Sequence, residues 1–176
     1  MCDRGLIMSV VEILTQKEIK KIEARNRIAQ EIIECGCNPE DVGALKDVQV
    51  GTFLEAVEML TGEKRVKLGK EYLSFAKRFI LSENNSCKRE ASRIVGNMAA
   101  DYPEMLDDAV PALLVNARSD GTVVRWSSAY ALSRIVLLDR FSCSDLVRTV
   151  KDIYETETES GVKNQYAKAL KRLKII

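Results

Sequence analysis

Three segments of this 176-residue chain repeat one pattern at nearly constant spacing, and that self-similarity constrains the fold more than any single helix signal. CKREASRIVGNM begins at Cys87, VRWSSAYALSRI at Val124 and VKNQYAKALKRL at Val162, so the starts lie 37 and 38 residues apart. Each segment opens on a small or apolar residue followed by a basic one. Each then carries small or apolar residues at its fifth, eighth, ninth and twelfth places. At 3.6 residues per turn these places share one face, which makes each segment an amphipathic helix. Partner helices are expected at about 64–81, 104–118 and 144–157, with breaks at Ser-Asp-Gly 119–121 and Glu-Ser-Gly 159–161. The expected fold is all-α: an α-α superhelix of antiparallel helix pairs spanning about 64–101, 103–138 and 142–176.

The first 63 residues also read as helical, with less regularity. Thr15 and Glu18 suggest a capping box that opens a helix with Ile19, Ile22, Ile28 and Ile32 inward and Gly36 at its end. Asn38-Pro39-Glu40-Asp41 caps a short helix, and Val48 to Leu60 forms another, stopped by Gly62. Val50 lies 37 residues before Cys87, and Leu54 and Val57 keep the stripe, but Glu58 breaks it. This segment is expected to be an irregular N-terminal cap, or a degenerate repeat, of one continuous structural domain.

Composition narrows the function classes. Only 9 glycines and 3 prolines punctuate the chain, in keeping with helices. The 27 basic and 26 acidic side chains nearly cancel, so no overall charge draws the molecule to a polyanion. There is no histidine, which removes the commonest general base and the commonest transition-metal ligand. The five cysteines, Cys2, Cys35, Cys37, Cys87 and Cys143, are odd in number, and the opening MCDRGLIMSVVEIL lacks the apolar core and cleavage site of a signal peptide. They read as reduced thiols of a cytoplasmic protein. The longest apolar runs, Val110 to Val115 and Ile135 to Leu138, are far short of the roughly 20 residues of a membrane span.

Cys35-Gly36-Cys37 has too few companions for a tetrahedral metal site and reads as a helix end rich in small residues. The carboxylates Asp107, Asp108, Glu155, Glu157 and Glu159 fall on polar helix positions and read as solvated outer surface. No phosphate loop or dinucleotide fingerprint is present. The expectation is therefore no catalytic residue, no metal and no cofactor.

The stretch from Pro103 to Leu138 resembles a HEAT repeat, with a mid-helix proline (Pro111), a loop aspartate (Asp120) and the Val124-Arg125 pair. The flanking units match less closely: Asn84 and Asn85 stand where the Cys87 unit would carry its loop aspartate, and Glu159 precedes the glycine of the Val162 unit. The resemblance covers about 64–176. It implies that Lys88, Arg125 and Lys163 bridge to loop acids such as Asp120, and that the repeat helices line a concave face.

Stacked in that way, the non-core places form a ladder: Arg89, Trp126 and Asn164 at place three, Arg93, Tyr130 and Lys168 at place seven, Asn97, Arg134 and Arg172 at place eleven. Across 87–98, 124–135 and 162–174 there are ten Lys or Arg and one acid, Glu90. Residues 104–118 and 144–159 carry eight acids and three bases. The expectation is a basic face with aromatics interleaved. The leading functional expectation is a non-catalytic scaffold that binds a protein partner, acidic or helical, through Arg89, Arg93, Asn97, Trp126, Tyr130, Arg134, Lys168 and Arg172. The alternative is nucleic-acid backbone binding through the same groove. The HEAT-like alkylpurine DNA glycosylases are similar in architecture alone, so no glycosylase activity is expected. A third expectation is a subunit, similar to HEAT-like phycobilin lyases, whose C-terminal LKRLKII leaves an end on which a partner or second copy stacks.

Overall fold

The computed structural model describes residues 8–176; residues 1–7, Cys2 among them, lie outside the described residues. Among the described residues ten α-helices follow one another: α1 Val10–Thr15, α2 Lys21–Glu34, α3 Asp47–Gly62, α4 Lys70–Lys77, α5 Asn85–Met98, α6 Ala109–Asn116, α7 Thr122–Ile135, α8 Asp139–Ser142, α9 Asp145–Thr156 and α10 Ser160–Arg172. No strand occurs among the described residues. No helix among them is long and apolar enough to cross a membrane.

The helices form two layers. α3, α5, α7 and α10 stack side by side in that order, and α2, α4, α6 and α9 each pack on the helix that follows them. The stripe fixes this arrangement. Cys87, Ala91, Ile94, Val95 and Met98 of α5 are buried, as are Val124, Ser128, Ala131, Leu132 and Ile135 of α7, at places one, five, eight, nine and twelve. In α10 the same places hold Val162, Tyr166, Ala169 and Leu170, all buried, and a half-buried Leu173. Because α7 lies between α5 and α10, it also buries Ser127, Ala129 and Ser133 outside the stripe. Small side chains there let neighbouring helices approach closely. A Cβ on Gly96 would lie 2.8 Å from Ala131 Cα, so glycine is what permits the α5–α7 contact.

Several local expectations change. The N-terminal capping box belongs to Ser9 and Glu12, which open α1; Thr15 is the last residue of that helix, its hydroxyl donating to the Val11 and Glu12 carbonyls. Ile22 is 67% exposed, and Ala24, Ile28, Ala29 and Ile32 form the buried side of α2. Residues 64–69 are loop, and α4 starts only after Gly69. Pro111 sits in the first turn of α6 rather than mid-helix, where its missing N–H deprives the helix of no bond. Asn84 caps α5, accepting from the Ser86 and Cys87 N–H groups. Beyond α10, Ile175 and Ile176 stand 42% and 43% exposed, while the helix itself carries exposed Asn164, Lys168, Lys171 and Arg172.

Candidate interaction face

The face of the inner layer turned away from α4, α6 and α9 carries all eight ladder residues. Arg89, Arg93 and Asn97 come from α5, Trp126, Tyr130 and Arg134 from α7, and Lys168 and Arg172 from α10. None of the eight is fully buried. Successive members on one helix lie four residues apart, about 6 Å along the axis, so their side chains form rows.

The rows join across helices. The Trp126 and Tyr130 rings stack with centroids 5.5 Å apart and planes inclined by 25°. The Tyr130 hydroxyl donates to Asn97 Oδ1, and Asn97 Nδ2 donates to Thr61 Oγ1 at 3.1 Å and to Glu58 Oε1 at 3.4 Å. The Arg134 guanidinium lies 3.4 Å from the Tyr130 ring centroid and donates to the Tyr130 carbonyl at 3.3 Å. Tyr130 is thus fixed from one side by Asn97 and fixes Arg134 on the other.

The electrostatics depart from a uniformly basic face. α3 carries Asp47, Glu55 and Glu58 and no lysine or arginine, and its two glutamates reach the α5 arginines. Arg93 pairs with Glu58 at 2.8 Å and with Glu90 at 3.3 Å; Arg89 pairs with Glu90 at 2.7 Å and lies 3.8 Å from Glu55. Glu90 itself is 3% exposed. Burial is the main cause that raises the Glu58 carboxyl above its ordinary range, and the nearby Glu90 adds to it, against the opposing pull of Arg93 and the Asn97 amide. Arg134, Lys168 and Arg172 pair with no carboxylate among the described residues.

Two cavities follow this division. One of about 560 Å³ is lined by Glu55, Glu58, Glu90, Arg93 and Tyr130. The other, of about 430 Å³, has Gly62, Gly96, Ala99 and Ala100 among its lining, and its charged groups among the described residues are the cations Lys64, Arg134 and Arg172. Gly62 and Tyr130 belong to both.

Sequence reasoning missed Glu55, Glu58 and Lys64. The signal for Glu58 was visible: it occupies place nine of a stripe beginning at Val50, and the glutamate that interrupts the stripe is the partner of Arg93. Arg125 behaves as a bridge, but to a different acid. It donates to the Ser119 and Asp120 carbonyls, and its carboxylate partner is Glu157 at 2.9 Å. Glu157, expected on the solvated surface, is 9% exposed. Burial alone would raise its carboxyl, but hydrogen bonds from Arg125 and from the Glu159 and Thr158 N–H groups outweigh it and hold the group below its ordinary value.

Neither Cys37 nor Cys87 is an activated nucleophile. Burial pushes Cys37 and Cys87 up to about 11, with nearby carboxylates adding to the rise. Cys35 closes α2, and Gly36 follows it at φ 75°, a left-handed helix stop. Among the described residues no three His, Cys, Asp or Glu side chains gather closely enough to hold a metal ion.

No family model and no curated protein matches the sequence. Among solved structures, a crystal structure of an engineered protein from the Northeast Structural Genomics Consortium is similar to 93% of this chain and 77% of its own, with a TM-score of 0.67 and 16% identity. At that identity the likeness concerns the fold alone.

Proposed function

We propose that this chain is a non-catalytic interaction scaffold of the HEAT-like kind, which takes a protein segment along the open face of α5, α7 and α10. The observation that carries the reading is the neutralisation of Arg89 and Arg93 by Glu55, Glu58 and Glu90. A phosphate backbone presents a uniform row of negative charge and is best met by an uninterrupted row of cations. Here two of the five ladder cations are already paired, and the carboxylates at the α3 end of the row would repel a polyanion. A stacked aromatic pair between a paired half and a cationic half suits a polypeptide, whose side chains vary in charge and polarity along their length. Cytoplasmic residence accords with the reduced thiols this reading assumes.

The test combines two measurements. Partners captured by the full chain from its native cell extract are expected to be lost from a Trp126→Ala, Arg134→Glu double variant and retained by Lys151→Met on the outer layer. Labelled duplex DNA and single-stranded RNA are expected to show no salt-steep anisotropy change. Retention of every partner by the double variant would remove this face from the reading. Nucleic-acid binding that falls steeply with salt and vanishes on reversal of Arg134, Lys168 and Arg172 would replace it with the phosphate-backbone alternative.

A further inference from the structure

The cationic cavity has properties that the rest of the face lacks. Lys64, Arg134 and Arg172 converge on it from three different segments, and among the described residues no carboxylate lines it. Lys64 stands just beyond α3 with φ 53°, a left-handed conformation that a lysine adopts only where the surrounding turn imposes it. Part of the wall is bare: Gly62, Gly96, Ala99 and Ala100 leave the volume open, and Gly96 cannot be enlarged without displacing α7. Arg134 is preorganised, since the chain of contacts from Thr61 and Glu58 through Asn97 to Tyr130 holds the ring on which its guanidinium lies. A cation fixed in place before its counter-ion arrives loses little freedom when the ion binds. Arg134 and Arg172 stand in the last turns of α7 and α10, where they offset the negative helix ends in part. On the scaffold reading the anion comes from a protein segment, which makes it a side-chain carboxylate, with inorganic phosphate as the competing ligand to be tested.

We infer that this cavity is a carboxylate-binding subsite, which receives Glu or Asp side chains of a partner helix lying along α7 and α10. The inference rests on the scaffold reading above and specifies its chemistry. Trp126 lies eight residues before Arg134 on α7, about 12 Å along the axis. The partner helix therefore carries an aromatic or aliphatic anchor over the Trp126–Tyr130 stack and carboxylates about 12 Å further on. Lys168, one turn before Arg172 on α10, offers a second cation beside the same track.

The experiment is a ¹⁵N NMR titration of the full chain at fixed ionic strength, reading the Trp126 indole N–H and the Nε–H resonances of Arg134 and Arg172. The probes are an alanine-based helical peptide with one leucine anchor and two glutamates eight and eleven residues beyond it, the same peptide with glutamine at both places, and inorganic phosphate. The glutamate peptide is expected to move all three resonances saturably and to bind at least tenfold more tightly than the glutamine peptide. Arg134→Met with Arg172→Met is expected to abolish that tenfold difference while leaving the Trp126 response. Equal affinity for the two peptides would overturn the carboxylate subsite and leave the scaffold reading standing. Phosphate moving both arginines while neither peptide does would also overturn it, in favour of a phosphate ligand. Silence of Trp126 and both arginines toward every probe would count against subsite and scaffold reading together.

Discussion

The α3–α5 half of the inner layer and the α7–α10 half hold equivalent repeat places in opposite electrostatic states. In the first, arginines at places three and seven meet carboxylates of α3 and the buried Glu90. In the second, α10 contributes Lys163, Lys168, Lys171 and Arg172 and no acid, and the ladder cations pair with no carboxylate among the described residues. A place within the repeat thus sets where a side chain points, and the neighbouring helix sets what it does. One half is tied together by ion pairs that stiffen the face; the other keeps its cations available.

The largest expected effect concerns the ion pair that the second half does possess, on its loop edge rather than its open face. Arg125→Met leaves Glu157 buried without its guanidinium and is expected to cost about 3 kcal/mol, read by urea denaturation at pH 7. The two halves also differ in the sign of their pH dependence. Glu157 is held low, so its contribution is fully present above the ordinary carboxylate pKa of 4.5 and is lost as pH falls through and below it. Glu58 is held high, so the folded state takes up its proton more readily than the unfolded state, and its contribution grows as pH falls from neutrality toward 4.5. Measured against Glu157→Gln, the wild type is expected to lose its advantage on acidification; measured against Glu58→Gln, it is expected to gain. Slopes of the same sign would break the comparison.

Two further substitutions probe the first half and the seam between the halves. Arg93→Met removes the shared partner of Glu58 and Glu90 and is expected to cost about 2 kcal/mol, less than Arg125→Met because Arg89 still reaches Glu90. Gly96→Val pushes a side chain into Ala131 and is expected to cost about 2 kcal/mol, lowering Tm by about 4–8 °C. Gly62→Ala is the control for the seam. Its Cβ would meet the movable ends of Glu58 and Asn97 at 3.1 and 3.3 Å rather than backbone.

How much of this could be read beforehand follows from what a one-dimensional pattern records. The stripe at places one, five, eight, nine and twelve marks the covered side of α5, α7 and α10, because burial against a partner helix imposes the 3.6-residue period directly. The Trp126–Tyr130 row was legible for the same reason. The pairing of Arg93 with Glu58 was not, since it depends on α3 standing beside α5, and a stripe interrupted by glutamate reads as the end of a pattern. Glu157 escaped likewise: an acid in the run Glu155 to Glu159 looks solvated until the fold brings Arg125 from the first turn of α7. Ile22 errs the other way, an isoleucine in register with Ile19 whose side of α2 no helix covers.

The smallest expected effect separates the halves most sharply. Arg172→Met should leave stability within about 1 kcal/mol of wild type, because among the described residues the side chain has no carboxylate partner to abandon. Two minor terms act on it and oppose each other. Lys168 and Arg172, four residues apart on α10, repel by about 0.2–0.5 kcal/mol, which the substitution relieves. The cation in the last turn offsets the helix dipole by about 0.3–1 kcal/mol, which the substitution forfeits. Denaturation of Arg93→Met and Arg172→Met side by side therefore reads the contrast directly. A cost for Arg172→Met near that of Arg93→Met would mean that this cation, too, is engaged in holding the fold, and the distinction between a paired half and an available half would fall.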